Sequence, residues 1–213
     1  MEAETIDFII RSRRTILEIV EDRGYNVDSY KDVSPEDILK IATTSSQLLK
    51  IVATKTVDDI TKRCIVLYWV ENAVRLRLEP EINALYDTDN DNHYEPSDEI
   101  IVILAEPFHE VFHTQASKQW ITRKATLSFF NLKHVISNPS RHTFVPPHRK
   151  LSAEEVTAIT SSLHLKSKSE LPHIKYHVDM QARVLGAIPG DIIEIQRPSE
   201  TCGLYTVYRV CSL

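Results

Sequence analysis

Apolar positions recur at helical spacing from Ile6 to Val20, and this pattern predicts a first helix that ends near Gly24. A second helix is predicted to begin at Ser34, because a serine N-cap followed by a proline and two acids is a typical helix start. The unbroken apolar run within residues 99–104 indicates a fully buried strand.

More elements are predicted between these segments and residue 138. They are strands over 63–70, 73–78 and 132–136, and a helix over 114–131. The first two strands would be joined by a turn at Glu71-Asn72, since asparagine tolerates left-handed backbone. Strands that alternate with helices indicate an α/β domain. Asn138-Pro139-Ser140 is typical of a linker, so the first domain is expected to cover residues 1–138.

Residues 139–213 are expected to form a second, smaller α+β domain. Val145-Pro146-Pro147 predicts stiff, extended chain near its start, because proline restricts its own backbone and that of the preceding residue. Ser152 and Glu155 then form a capping-box pattern, which marks the start of a helix.

A β-hairpin is predicted at the end of this second domain. Apolar and polar side chains alternate in residues 191–196, as they do in a half-buried strand. Residues 204–210 also alternate and are rich in β-forming side chains, which predicts a second strand. Between them, Arg197–Gly203 is expected to form a long polar loop stiffened by Pro198. Taken from the residues alone, this loop is a solvated hairpin tip.

Composition and charge narrow the classes of function. Hydrophobic residues make up 42% of the chain, but there are only four glycines and no apolar run near the length of a membrane helix. Three scattered cysteines without a C-x-x-C pair indicate a reducing compartment and no structural zinc. Residues 1–138 carry 16 basic against 23 acidic side chains, a net −7, while the remainder is +2. A bulk basic surface for nucleic acid is therefore not expected.

His109-Glu110-x-x-His113 matches a zinc-hydrolase motif, in which two histidines one helical turn apart bind the metal and the glutamate acts as a base. Pro107 limits a helix on the N-terminal side, and His134 is the one nearby candidate for a third ligand. We expect two surface histidines and no metal or other cofactor. A metal-dependent hydrolase is the alternative.

The acidic segment 87–99 begins like a calcium loop, with aspartates at positions 87, 89 and 91. A calcium loop needs glycine at its sixth position and glutamate at its twelfth, where this chain has Asn92 and Asp98. An acidic surface loop is the better interpretation. With so few glycines, a phosphate-binding loop is not expected either.

A set of short motifs near the end of the chain resembles the shared fifth subunit of eukaryotic RNA polymerases, which has a shorter archaeal counterpart similar to its C-terminal half. The motifs are Arg197-Pro198-Ser199-Glu200-Thr201 with Gly203, Tyr208-Arg209-Val210, Pro189-Gly190-Asp191, Leu171-Pro172 with Ile174, Asp179 with Ala182, Arg183 and Gly186, and His142 with Val145, Pro146 and His148. Met180 and Cys202 depart from the family pattern. Arg13–Tyr25 is similar to the opening helix of the longer eukaryotic form.

The resemblance implies an N-terminal jaw domain near downstream DNA and a C-terminal domain docked on the largest polymerase subunit, without an active site in this chain. It implies an assembly surface formed by His142, Val145, Pro146, His148, Pro172, Asp179, Arg183, Gly190, Arg197, Pro198, Ser199, Glu200, Thr201, Gly203 and Arg209. Arg11, Arg13 and Arg14 are the candidates for residues close to DNA.

The partners implied are the largest subunit, other polymerase subunits and downstream DNA, with weak DNA binding by the isolated chain and no membrane. The expected location is the nucleus for a cellular protein, or the host cytoplasm or virion for a viral one. A free-standing DNA-binding regulator is a further alternative, which the acidic first domain disfavours.

Overall fold

The computed structural model describes residues 3–71, 73–89, 93–201 and 203–213, and divides the chain into two compact units, Met1–Asn138 and Pro139–Leu213. Four residues named above, Asn72, Asp91, Asn92 and Cys202, lie outside the described residues.

The N-terminal unit packs helices against a mixed sheet. Its elements in order are α1 (Ala3–Asp22), α2 (Asp28–Lys31), α3 (Pro35–Thr44), β1 (Ile51–Val57), β2 (Ile60–Trp69), α4 (Val74–Leu85), β3 (Glu99–Leu104), α5 (Glu110–Arg123) and β4 (Thr126–Asn131). The sheet order is β1-β2-β3-β4, with an antiparallel β1–β2 pair and parallel β2–β3 and β3–β4 pairs. The helices α4 and α5 make the two crossovers that parallel neighbours require.

Several predicted elements are confirmed at their expected places. The first helix ends before Gly24, which adopts a φ of 85°. Ser34 caps α3 by accepting a hydrogen bond from the backbone nitrogen of Asp37 at 3.2 Å. The central strand β3 is buried along its apolar run from Ile100 to Leu104, as an interior parallel strand should be.

Three predictions in this unit are wrong. Residues 73–78 begin the helix α4, because Val74, Leu78 and Ile82 recur at a spacing of four and are the side chains it buries. The predicted helix over 114–131 ends at Arg123, where Lys124 takes the left-handed conformation, and the chain continues as strand β4. The predicted strand over 132–136 is a short 3₁₀ helix, Leu132–Val135.

Two ion pairs of this unit have a largely buried carboxylate. Arg23 pairs with Glu99 at the start of β3, and the Tyr25 hydroxyl donates a second hydrogen bond to the same carboxylate at 2.8 Å. Arg63 binds Asp98 through two parallel hydrogen bonds of 2.8 and 2.6 Å. Asp98 is buried and also accepts from the backbone nitrogen of Glu95 at 2.9 Å, so the end of the acidic segment 87–99 is fixed to β2.

The C-terminal unit is built around a second mixed sheet with the order β5-β7-β8-β6. Its elements in order are β5 (His148–Lys150), α6 (Ala153–Ser162), β6 (His173–Lys175), α7 (Met180–Val184), β7 (Ile192–Ser199) and β8 (Gly203–Ser212). The predicted capping box is present at the start of α6, between Ser152 and Glu155.

One core cluster of the C-terminal unit forms where α6 covers the base of the β7–β8 hairpin. Leu151, Leu171, Ile192 and Val210 are buried together there, and Val156, Ile159, Leu165 and Tyr208 pack against them. The apolar face of α6 and the inner ends of the two strands therefore hold this unit together.

Candidate assembly surface

The terminal hairpin is longer, and its loop shorter, than the sequence predicts. The β7–β8 register pairs Arg197 with Tyr205 and Ser199 with Gly203, so strand pairing continues through most of the segment expected to be loop. The predicted loop over 197–203 is wrong in extent because backbone pairing continues past Pro198 to Ser199. Gly203 closes the turn with a φ of 74°, a conformation that glycine adopts without steric cost.

The two ends of the hairpin have opposite environments. At its base Ile192, Ile195 and Val210 are buried. At its tip Leu204 is 69% exposed and Tyr205 is 59% exposed. These two neighbours point to opposite faces of the sheet, since successive strand residues alternate. The tip thus presents an apolar side chain on each face.

Basic and polar side chains surround these two residues. Arg197 is exposed and lies directly across from Tyr205 in the strand pairing, so the two side chains share one face. Ser199 and Thr201 bond to one another through their hydroxyls at 3.2 Å. Arginine and tyrosine are residue types enriched at the centre of protein interfaces.

The outer edge of β8 is covered over part of its length. In the described residues, β6 pairs with β8 at Val210, Cys211 and Ser212. Strand pairing on that side does not extend to the stretch from Gly203 to Arg209, and its residues Leu204–Tyr208 are uncharged β-formers. An uncharged strand edge of this kind is able to accept a strand from another chain.

Four residues of the predicted assembly surface have internal roles. Asp179 caps α7 by accepting from the backbone nitrogens of Gln181 and Ala182 at 2.8 and 3.2 Å. Arg183 is 8% exposed, and burial lowers the pKa of its guanidinium to about 10. The Arg209 guanidinium donates to the carbonyl oxygen of His173 at 2.8 Å. The Gly190 amide donates to the carbonyl oxygen of Cys211 at 2.9 Å. These side chains and turns shape the unit from within.

The segment from His142 to His148 is more exposed. His142 accepts from the amide of Phe144 at 3.3 Å, and Val145 donates to the carbonyl of His142 at 2.9 Å. His148 lies 2.6 Å from the carbonyl oxygen of Pro146. Phe144, which belongs to none of the motifs above, is 89% exposed. Pro172 accepts from the Val210 amide at 2.9 Å and leaves its ring exposed.

The three arginines considered for DNA contact do not share one environment. Arg11 and Arg14 are exposed on α1 and lie near the carboxylates of Asp7 and Glu18, at 3.7 and 3.8 Å. Arg13 is only 5% exposed and donates to the carbonyl oxygen of Leu49 at 2.7 Å. Arg13 therefore lies in a different environment from Arg11 and Arg14, because a helix turns adjacent residues to different sides.

The histidine pair of the hydrolase motif is divided by the start of α5. His109 is the N-cap residue, outside the helix, and His113 lies in its first turn with its ring 4.8 Å from that of Phe108. Within the part of the chain that the structure describes, no group of three His, Cys, Asp or Glu side chains is placed to hold a metal ion. Among the same residues, no helix is both long and apolar enough to cross a membrane.

Comparisons with known proteins define the class. Residues 137–211 match the family model described as RNA polymerase Rpb5, C-terminal domain. DNA-directed RNA polymerase subunit Rpo5 of the archaeon Pyrococcus abyssi is 47% identical over 73 residues, which are 34% of this chain and 87% of the archaeal protein. This similarity identifies a subunit of a multisubunit DNA-directed RNA polymerase.

Two relatives align along nearly the whole chain. The DNA-directed RNA polymerases I, II, and III subunit rpabc1 of Dictyostelium discoideum is 28% identical over 208 residues, 98% of this chain and 99% of that protein. The corresponding subunit RPABC1 of Caenorhabditis elegans is 29% identical over 212 residues, 94% of this chain and 93% of that protein. The chain belongs to the Rpb5 family of RNA polymerase subunits.

Proposed function

We propose that this chain is a nuclear RNA polymerase subunit without an active site of its own, and that it docks on the largest subunit through its C-terminal unit. The observation that supports docking is the exposure of Leu204 and Tyr205 on opposite faces of the hairpin tip. Arg197 lies on the same face as Tyr205. The full-length relatives, which come from cellular eukaryotes, favour the nucleus over a virion.

The docking surface comprises the hairpin tip from Arg197 to Tyr205, the uncharged edge of β8 and the exposed segment around Phe144. Burial of an exposed aromatic or leucine side chain contributes about 2–3 kcal/mol each to association. The paired strands hold these anchors in place before binding, so little conformational entropy is lost on docking. Asp179, Arg183 and Gly190 support this surface from within the unit.

For the N-terminal unit we propose a jaw position near downstream DNA, with Arg11 and Arg14 facing phosphates. The acidic character of residues 1–138 makes this contact too weak to recruit DNA alone. Assembly into the polymerase would hold DNA close to this unit and so raise the local concentration of DNA at Arg11 and Arg14.

The test is incorporation of an affinity-tagged chain into polymerase in eukaryotic cells. Recovery of the two largest polymerase subunits with the tagged chain is expected, and a purification without them contradicts the proposal. The variant Leu204→Ser with Tyr205→Ser should melt as the parent does but incorporate at least tenfold less, because both side chains are already in water when unbound.

The control is Leu163→Ser, which removes a leucine that is 47% exposed at the C-terminal end of α6. It should assemble normally. If the tip variant incorporates as well as this control, the hairpin tip does not dock. If the tip variant melts several degrees lower and assembles normally per folded molecule, the tip is structural.

A further inference from the structure

A cleft of about 510 Å³ lies within the N-terminal unit, between α1 and the chain that forms α2 and the start of α3. Ile10, Arg14, Leu17 and Glu21 form its wall on α1, at spacings of four, three and four residues along one helix face. They span about 16 Å of helix axis.

The cleft has a charge opposite to that of its domain. Residues 1–138 carry a net −7, but the side chains that line the cleft carry +2. The cations are Arg11, Arg13, Arg14 and Lys31, and the anions are Glu18 and Glu21. The two anions are already engaged, Glu18 at 3.8 Å from Arg14 and Glu21 at 2.7 Å from Lys31.

Arg11 lies 3.7 Å from Asp7, so within the described part of the chain Arg13 is the cation of the cleft without a countercharge. Its side chain is buried, one nitrogen donates to the carbonyl oxygen of Leu49, and its guanidinium lies 5.8 Å from the centre of the Tyr30 ring. Its Nε atom is buried without a hydrogen-bond partner, and among the described residues Arg13 makes no ion pair. A guanidinium that lines a cleft and has no countercharge favours a carboxylate there.

The apolar part of the wall decides which kind of anion fits. Ile10, Leu17 and Ile38 line the same groove as Arg13. Phosphates of DNA would leave these walls in contact with water, and a small anion would fill a fraction of the length. A row of apolar side chains with a carboxylate beside it matches both the walls and the charge.

We propose that this cleft is a docking site for an acidic–apolar peptide segment of a partner protein, with apolar side chains in the groove and a carboxylate paired with Arg13. The site is separate from the hairpin tip in sequence and in its ligand chemistry. It does not depend on how the C-terminal unit docks, but it shares Arg11 and Arg14 with the DNA contact proposed above, so peptide and DNA phosphates would compete for these two side chains.

The probe is an acetylated and amidated helical peptide of about 14 residues, which covers the length of the groove. Leucines lie on one face and glutamates flank them. Titration into the full chain, followed by amide chemical shifts, should perturb residues of α1 and the segment 28–38 with a Kd of about 100 µM. The same peptide with glutamine in place of glutamate should bind about tenfold more weakly.

Variants of the chain locate the site. Arg13→Gln should weaken binding of the glutamate peptide and leave that of the glutamine peptide unchanged. Lys31 is an exposed residue at the rim of the cleft, and Lys31→Glu should weaken binding of the glutamate peptide. This variant tests the site even if Arg13→Gln impairs folding. Arg75→Glu makes the same charge change as Lys31→Glu on the exposed surface of α4, and it should bind as the parent does.

Several results would overturn the proposal. Equal binding of the two peptides would mean an apolar surface without carboxylate recognition. Stronger binding of sodium octanoate at this cleft would identify a lipid-like ligand, and stronger binding of short duplex DNA would identify a phosphate site. Shifts outside α1 and 28–38, or none up to about 1 mM peptide, would also exclude the site.

Discussion

The buried pair of Arg23 and Glu99 predicts a large and local loss of stability when its cation is removed. The side chain of Arg23 is 4% exposed and that of Glu99 is 13% exposed, so water screens the pair poorly. In Arg23→Met the carboxylate would retain its hydrogen bond from Tyr25 but lose its countercharge. Loss of one partner of a buried pair costs about 3–5 kcal/mol.

That free energy corresponds to a clear shift in melting temperature. A unit of 138 residues unfolds with an entropy of about 0.3 kcal/mol/K, so Arg23→Met should lower its Tm by about 10–17 °C. Thermal unfolding followed by circular dichroism measures this shift. Addition of Glu99→Gln should restore about 1–3 kcal/mol, because a neutral amide no longer needs the cation.

The matched control is Lys31→Met, which breaks an exposed ion pair with Glu21 and should change stability by less than about 1 kcal/mol. A Tm within about 3 °C of the parent for Arg23→Met would refute the reasoning, since it would mean that the pair is solvated. Failure of Glu99→Gln to recover any stability would locate the loss in packing of the arginine side chain.

Three further outcomes are expected. Burial and the nearby charge of Glu99 raise the pKa of the Tyr25 hydroxyl above its usual value. The contribution of this group to the free energy of unfolding is therefore complete below about pH 10 and is lost at more alkaline pH. Urea unfolding of Tyr25→Phe should show a weaker alkaline decline in stability than the parent. A fragment of residues 139–213 should unfold cooperatively on heating, since it contains its own core; a broad, featureless melt would contradict this boundary. The full chain should bind short duplex DNA weakly with a shallow salt dependence in fluorescence anisotropy, because residues 1–138 are acidic; nanomolar affinity at physiological salt would contradict this.

Elements with a signal inside one helix or strand were predictable. The helical period of α1, the apolar run of β3 and the capping box of α6 are local patterns, and all three are present. The prediction of a strand over 73–78 was wrong because Val74, Leu76 and Leu78 fit the period of a strand as well as that of a helix. Leu76 is 78% exposed, which only a helix explains.

The end of α5 could not be predicted from propensity. Lys124 takes the left-handed conformation that usually marks glycine or asparagine, so the sequence carries no stop signal at that position. The strand β4 that follows is buried along Leu127–Asn131 and pairs with the interior strand β3. Tertiary pairing, which has no local sequence signal, decides this part of the fold.

The candidate sites show the same limit. Residue type and motif located the hairpin, but alternation along β8 does not tell which part of the strand another element covers. The helix α6 covers the base through Val156 and Ile159, and the tip extends past that cover. The adjacent residues Arg13 and Arg14 likewise look alike in sequence, yet only Arg14 is exposed because of the helix turn between them.

The hairpin has a covered base, which contributes to folding, and an exposed tip, which is the part proposed to dock. Ile192 and Val210 contribute to the core of the C-terminal unit, so their loss would remove stability whether or not a partner is present. Leu204 and Tyr205 contribute little to that core and expose apolar surface that favours association. A chain selected only to fold would gain solubility from polar residues at both positions. Their presence at the end of a paired strand agrees with the docking proposed above for the hairpin tip.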